Sequence, residues 1–123
     1  MRRIIAILFV MLVSACSTYP TAREGAVYDT VTTVYAVEHL GARELNPLGV
    51  WGTILGKVLL ISYYQHRPPA EQASFDRRAG AFWTAASVSN LVQIMAAPGI
   101  FISVGIGAAV GYYIYTHYPT QVP

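Results

Sequence analysis

From residue 79 to residue 123 the chain carries no Asp, Glu, Lys or Arg. A helix in water needs a polar face, and this run has almost nothing to build one from. Ala97-Pro98-Gly99 interrupts it, because neither proline nor glycine continues a helix well. The run therefore predicts one helix over about 81–97 and another over 99–116. Within the second, Ser103 and Thr116 are the polar side chains other than tyrosines. The spacing Ser103-x3-Gly107-x3-Gly111 places small residues on one helix face, and Gly52-x3-Gly56 does the same upstream. Such faces suit close helix packing in lipid, where small side chains let backbones approach. Composition agrees: 54% of residues are hydrophobic and 11% charged, against about 25% charged in soluble domains. Disorder, a basic nucleic-acid-binding domain and a charged cytosolic enzyme are excluded on these grounds.

The formal net charge of +2 comes from Arg2 and Arg3; residues 16–123 hold six basic and six acidic side chains. The two arginines precede a short apolar stretch over 4–12 and then Val13-Ser14-Ala15-Cys16. That stretch is too short to cross a hydrocarbon layer of about 30 Å comfortably and has the form of a secretory signal. Small residues before the only cysteine resemble the lipobox of bacterial lipoproteins. The resemblance implies a signal peptide over 1–15, a diacylglyceryl group on the Cys16 thiol, and an acylated N-terminus after cleavage. Several acyl chains would hold such a protein firmly to a bilayer. In the alternative reading residues 4–15 stay as an uncleaved membrane segment and Cys16 is an ordinary thiol. With one cysteine no intrachain disulfide forms.

Residues 16–25 read as a polar, lipid-anchored linker. A helix over 26–40 ends at Gly41, a residue suited to the left-handed position after a helix. Pro47, placed where a missing N–H costs nothing, starts a helix over 47–64. Residues 66–80 read as a hydrophilic loop, broken by Pro68-Pro69 and charged at Asp76-Arg77-Arg78. Long runs rich in Ala, Gly and Leu, without period-two alternation, argue against strands. The expectation is an all-α fold: a membrane-embedded four-helix bundle of two helical hairpins over 26–118. With Cys16 outside, Tyr28, Tyr63, Tyr64, Trp83, Tyr112, Tyr113 and Tyr115 fall near one interface, as amphipathic rings prefer. Arg67, Arg77 and Arg78 then also lie outside, against the positive-inside tendency.

The first hairpin holds the chemistry. Asp29 lies eleven residues before Leu40, and Lys57 lies ten after Pro47. At about 1.5 Å per residue, each sits about 15–16 Å from the turn. An antiparallel hairpin brings acid and base to the same depth, where a charge is normally paired or faces a cavity. Thr32 and Thr33 share the face of Asp29, and the turn adds Glu44 and Asn46. One reading is a structural ion pair that sets hairpin register. A second is a polar site for a proton, an ion or a ligand head group. A third leaves the first helix outside the bilayer with Asp29 solvated.

Asp29, Thr32, Gly41, Glu44-Leu45-Asn46-Pro47 and Lys57 resemble the Asp…Thr…Gly-x-x-Glu-x-Asn-Pro…Lys pattern of a family of small multi-spanning bacterial membrane proteins of unknown function. The resemblance covers about residues 28–64. It implies a helical membrane fold and carries no activity. A lipoprotein-type signal ahead of the motif departs from that family's pattern.

Other chemistry has little to stand on. Glu38, His39 and Glu44 lack the spacing of a paired metal-ligand motif. No nucleophile elbow, zinc-protease motif or glycine-rich phosphate loop is present. A neutral chain after Cys16 offers no phosphate-binding patch. The sequence thus predicts no enzyme, cofactor, metal or nucleic-acid partner. Its expected partners are membrane lipid and either an envelope protein or a second copy, met through the small-residue faces. Three functions stay open: a structural or accessory envelope component, a binding or transport-type protein centred on Asp29 and Lys57, and a soluble periplasmic helical lipoprotein. The expected location is the inner membrane with Cys16 on the periplasmic side, with the periplasmic face of the outer membrane as the alternative.

Overall fold

A capping box opens the first helix. In the computed structural model, which describes residues 19–41, 47–96 and 99–119, Glu24 donates its backbone N–H to Thr21 Oγ1 at 3.3 Å. Glu24 Oε2 in turn accepts the Thr21 N–H at 2.8 Å. Asp76 Oδ1 accepts the N–H of Ala22 at 2.9 Å from a different helix. These acceptors satisfy N–H groups that a helix start leaves without partners. Helix α1 therefore spans Ala22–Leu40, and the expected linker over 16–25 gives up its last four residues to it. It ends as expected at Gly41, which takes φ 66° and donates its N–H to Ala36 O.

Three further helices follow: α2 (Gly49–Gln65), α3 (Pro69–Ala96) and α4 (Ile100–His117). No strand occurs among the described residues. The main correction concerns 66–80, expected as a loop, with a helix only from 81. The connection is a tight turn at 66–68, and α3 begins at Pro69. Pro69 occupies the first helical position, where its ring sets φ and its lack of an N–H is harmless. Glu71 N–H then closes onto Pro68 O at 2.9 Å. Arg67 pairs with Glu71 at 2.8 Å, and Gln72 Nε2 donates to the carbonyls of Gln65 and Arg67. The proline pair, expected to stop a helix, starts one instead. Cys16 and the lipobox, Glu44 and Asn46 lie outside the described residues.

The long α3 organises the bundle, with α1 packed along it on one side and α4 on another. Helix α4 runs antiparallel to α3, so the second expected hairpin is present. The first hairpin is open: α1 runs parallel to α3 and packs mainly against it, while α2 meets the others at few points. Two backbone crossings explain the preference for α3. A Cβ placed on Gly25 would stand 2.9 Å from Gly80 O, so glycine at both positions lets α1 and α3 touch. On the other side, Ser103, Gly107 and Gly111 are the buried face of α4, as their spacing predicts. Gly107 and Gly111 meet Ala81, Ala85 and Ser89 of α3, and Ser103 bonds to Gln93. Gly56, by contrast, faces open space, so the matching pair on α2 makes no such contact.

The interior is small and the exterior apolar. Ala22, Ala26 and Trp83 form the buried cluster, with Ile61, Phe75 and Ala79 against it. Trp83 is thus inside the bundle, packed edge-on to Phe75 at 6.1 Å, rather than displayed at a bilayer boundary. Phe75 stacks on Tyr64 of α2 at 4.0 Å. The largest fully buried side chains are Thr32, Ser87 and Ser103. Phe101 is 91% exposed and Trp51 81%. Among the described residues one helix, α4, is long and apolar enough to cross a membrane, and 22% of it is buried in the bundle.

Candidate functional site

Asp29 and Lys57 meet as their equal distance from the turn predicts. Lys57 Nζ lies 2.5 Å from Asp29 Oδ2, with the two residues 6% and 8% exposed. An acid and a base this deep persist only when paired and hydrogen-bonded. Lys57 also donates to Thr30 Oγ1 at 3.3 Å, and its ammonium lies 6.0 Å from the centre of the Trp83 ring. At that distance the ring's negative face attracts a cation. The ammonium therefore has a carboxylate, a hydroxyl and an aromatic face for neighbours.

The other carboxylate oxygen belongs to α3. Asn90 Nδ2 lies 3.3 Å from Asp29 Oδ1, 3.2 Å from Thr32 Oγ1 and 3.0 Å from Thr33 Oγ1. Its two N–H groups are shared among these three acceptors. The amide nitrogen, not the oxygen, faces them because an ionised carboxylate only accepts. Thr32 Oγ1 is free to accept, since its own hydrogen goes to the carbonyl of Tyr28 or Asp29. Helices α1, α2 and α3 are joined here through one carboxylate.

Of the expected site residues, Asp29, Thr32, Thr33 and Lys57 come together; Glu44 and Asn46 fall outside the described residues. Thr30, Trp83 and Asn90 also belong to the site, although the sequence pattern does not single them out. Asn90 has a signal: it is one of very few amide side chains in the charge-free run, close to Ser87, Ser89 and Gln93. That signal acquires meaning only because α1 lies on α3. Gln93 has a separate role, accepting from Ser103 Oγ of α4 at 2.6 Å.

The polar groups of the site bind one another. A cavity of about 260 Å³ lies elsewhere, at the end of the bundle between Thr21, Ile61, Tyr64, Phe75 and Asp76. Near that end, burial first and then Asp76 and Glu24 push the Tyr118 phenol above its ordinary value. No group of three or more His, Cys, Asp or Glu gathers among the described residues. Glu38 and His39 end α1 in exposed positions, with His39 stacked on Tyr35 at 4.8 Å. Comparison with known proteins finds no family model, no curated protein and no solved structure that matches this chain.

Proposed function

We propose that this chain is a lipid-anchored helical protein of a bacterial cell envelope, with its bundle embedded in the bilayer as a structural or accessory component. One observation carries the reading: polar groups are inside and large apolar ones outside. Thr32, Ser87 and Ser103 are each 2% exposed, while α2 and α4 present Trp51, Leu55, Leu59, Phe101 and Ile102 outward. In water such a surface is a penalty of about 25 cal/mol per Å² of apolar area; in hydrocarbon it carries none. Helix contact through Gly25, Gly80, Gly107 and Gly111 fits a medium in which packing, not apolar burial, joins helices. The anchor rests on the pattern over 1–16, with Cys16 on the periplasmic side of the inner membrane.

Within this reading the Asp29–Lys57 pair is a clamp. Among the described residues Lys57 is the one side chain of α2 that is buried, so the pair fastens a helix that has little else to hold it. Every polar atom of Asp29 and Asn90 that points into the site has a partner, which favours a clamp over an open transport path.

Carbonate extraction of envelopes tests the bilayer reading, with Cys16→Ala in parallel to remove acyl chains. Retention of the Cys16→Ala protein in the membrane pellet supports embedded helices. Its release as a soluble monomer without detergent overturns them. Palmitate labelling of wild type but not of Cys16→Ala tests the anchor, and sucrose-gradient fractionation separates inner from outer membrane.

A further inference from the structure

Removing Lys57 in thought leaves a formed receptor. Asp29 and Thr30 are on α1 and Trp83 is on α3, so the groups that receive the ammonium do not depend on α2. Asn90 of α3 holds Asp29 Oδ1 at 3.3 Å, a contact in which α2 takes no part. Helix α2 is the loose partner. Among the described residues Lys57 is its one buried side chain, and Ile61, the Tyr64–Phe75 stack and the Gln72 bond to Gln65 O hold the end towards the 66–68 turn, on which it would pivot.

We infer that α1 and α3 form a binding site for a primary ammonium group, which Lys57 occupies as an internal competitor. The receptor is selective by chemistry. A carboxylate and a hydroxyl both accept N–H bonds, so a primary ammonium satisfies Asp29 Oδ2 and Thr30 Oγ1 as Lys57 does. A quaternary ammonium has no N–H to give and is too wide for a position that now holds a donor at 2.5 Å. A bare sodium ion also takes oxygen ligands, but two oxygens at 2.5 and 3.3 Å from one point leave most of its coordination shell unfilled. The ligand is an alkylammonium with a slender stem, supplied either by a soluble amine or by an ethanolamine lipid headgroup. Binding it releases α2 from the bundle, so the clamp doubles as an autoinhibitory contact.

The inference rests on the clamp reading of Lys57 and not on bilayer residence, so its test runs in maltoside micelles, which contain no amine. Lys57→Ala protein is melted with methylammonium chloride, tetramethylammonium chloride or sodium chloride at equal ionic strength. A ligand that binds only the folded state raises the melting temperature with the logarithm of its concentration. Methylammonium is expected to restore much of the stability lost, the other two salts little, and the double variant Asp29→Asn/Lys57→Ala is expected not to respond. Restoration by ethanolamine lipid added to the micelles, but not by choline lipid, also supports the site and assigns the ammonium to a headgroup. Absence of restoration by both sources, or equal restoration by all three salts, overturns it. If Lys57→Ala does not fold, wild type supplies the answer: methylammonium should speed amide exchange in α2 while tetramethylammonium does not. Equal exchange with both salts overturns the inference.

Discussion

Asn90 of α3 stands 3.3 Å from one carboxylate oxygen of Asp29 while the other oxygen faces Lys57. This relationship makes a two-residue ion pair into a three-helix junction, and it decides how the pair responds to mutation. Removing one charge leaves the other buried and uncompensated, which is far more costly than removing both.

Asp29→Asn and Lys57→Met are each expected to destabilise the bundle by about 3–5 kcal/mol. The double variant is expected to recover most of that loss, because no lone charge remains inside. Urea titration in detergent of all four proteins closes the cycle. Additive losses would mean that the two side chains do not act as a pair. Reversing both charges is a sharper test, since Asn90 must then turn its amide oxygen toward a lysine at 29. The reversed protein is expected to fold, with the Thr33 hydroxyl, which now accepts from Asn90 at 3.0 Å, donating instead to the turned amide oxygen.

Glycine at 25 is set by a backbone, which does not yield as a flexible side chain would. A Cβ there would stand 2.9 Å from Gly80 O and 3.3 Å from Thr84 Oγ1. Gly25→Ala is expected to cost about 1–3 kcal/mol, as overpacked sites do. Gly56→Ala meets nothing within 4 Å and is expected to stabilise α2 by roughly 1 kcal/mol through helix propensity. Thermal melting of the two variants side by side should show shifts of opposite sign; a loss at both positions would refute the assignment of Gly56 to an open face.

The two tryptophans report on opposite environments. Trp51 is 81% exposed on α2 and Trp83 is 7% exposed in the core. In vesicles carrying brominated acyl chains, Trp83→Phe protein, which retains Trp51, is expected to be strongly quenched. Trp51→Phe protein, which retains Trp83, is expected to be quenched weakly. Quenching of Trp51 by aqueous iodide and not by bromolipid would place α2 in water.

Tyr118 gives a pH signature outside the helices. Burial, then Asp76 and Glu24, disfavours the phenolate, so the phenol titrates above its ordinary 10.0. The folded state binds this proton more tightly than the unfolded one. Its contribution to stability is present below pH 10 and is lost as pH rises through the folded-state value. The difference in absorbance at the phenolate band between wild type and Tyr118→Phe should have its midpoint above that of a free tyrosine. Asp76→Asn should move the midpoint down, and a midpoint at or below the free value in wild type would contradict the partial burial of Tyr118 and its nearness to Asp76.

The depth match of Asp29 and Lys57 is legible in the sequence because it depends only on rise per residue and a shared turn. The stop at Gly41 and the small face at Ser103, Gly107 and Gly111 are legible for a similar reason: each is a property of one helix. The beginnings of α1, α2 and α3 depart from expectation although their signals are local; α2 starts at Gly49, with Pro47 in the turn before it, and not at Pro47. Thr21-x-x-Glu24 is a helix start in its own right, and Pro69 is a first-turn residue once Pro68 is placed in the turn.

Most of the helical segments, and the depth at which Asp29 and Lys57 can pair, thus follow from the order of residues, through capping, turn and rise-per-residue rules that act along single helices. That α1 lies along α3, that Trp83 turns inward and that Asn90 completes the site follow only from the packing of the bundle. Those outcomes depend on which backbones approach, and Gly25 and Gly80 acquire that meaning only when they face each other across 55 residues of chain.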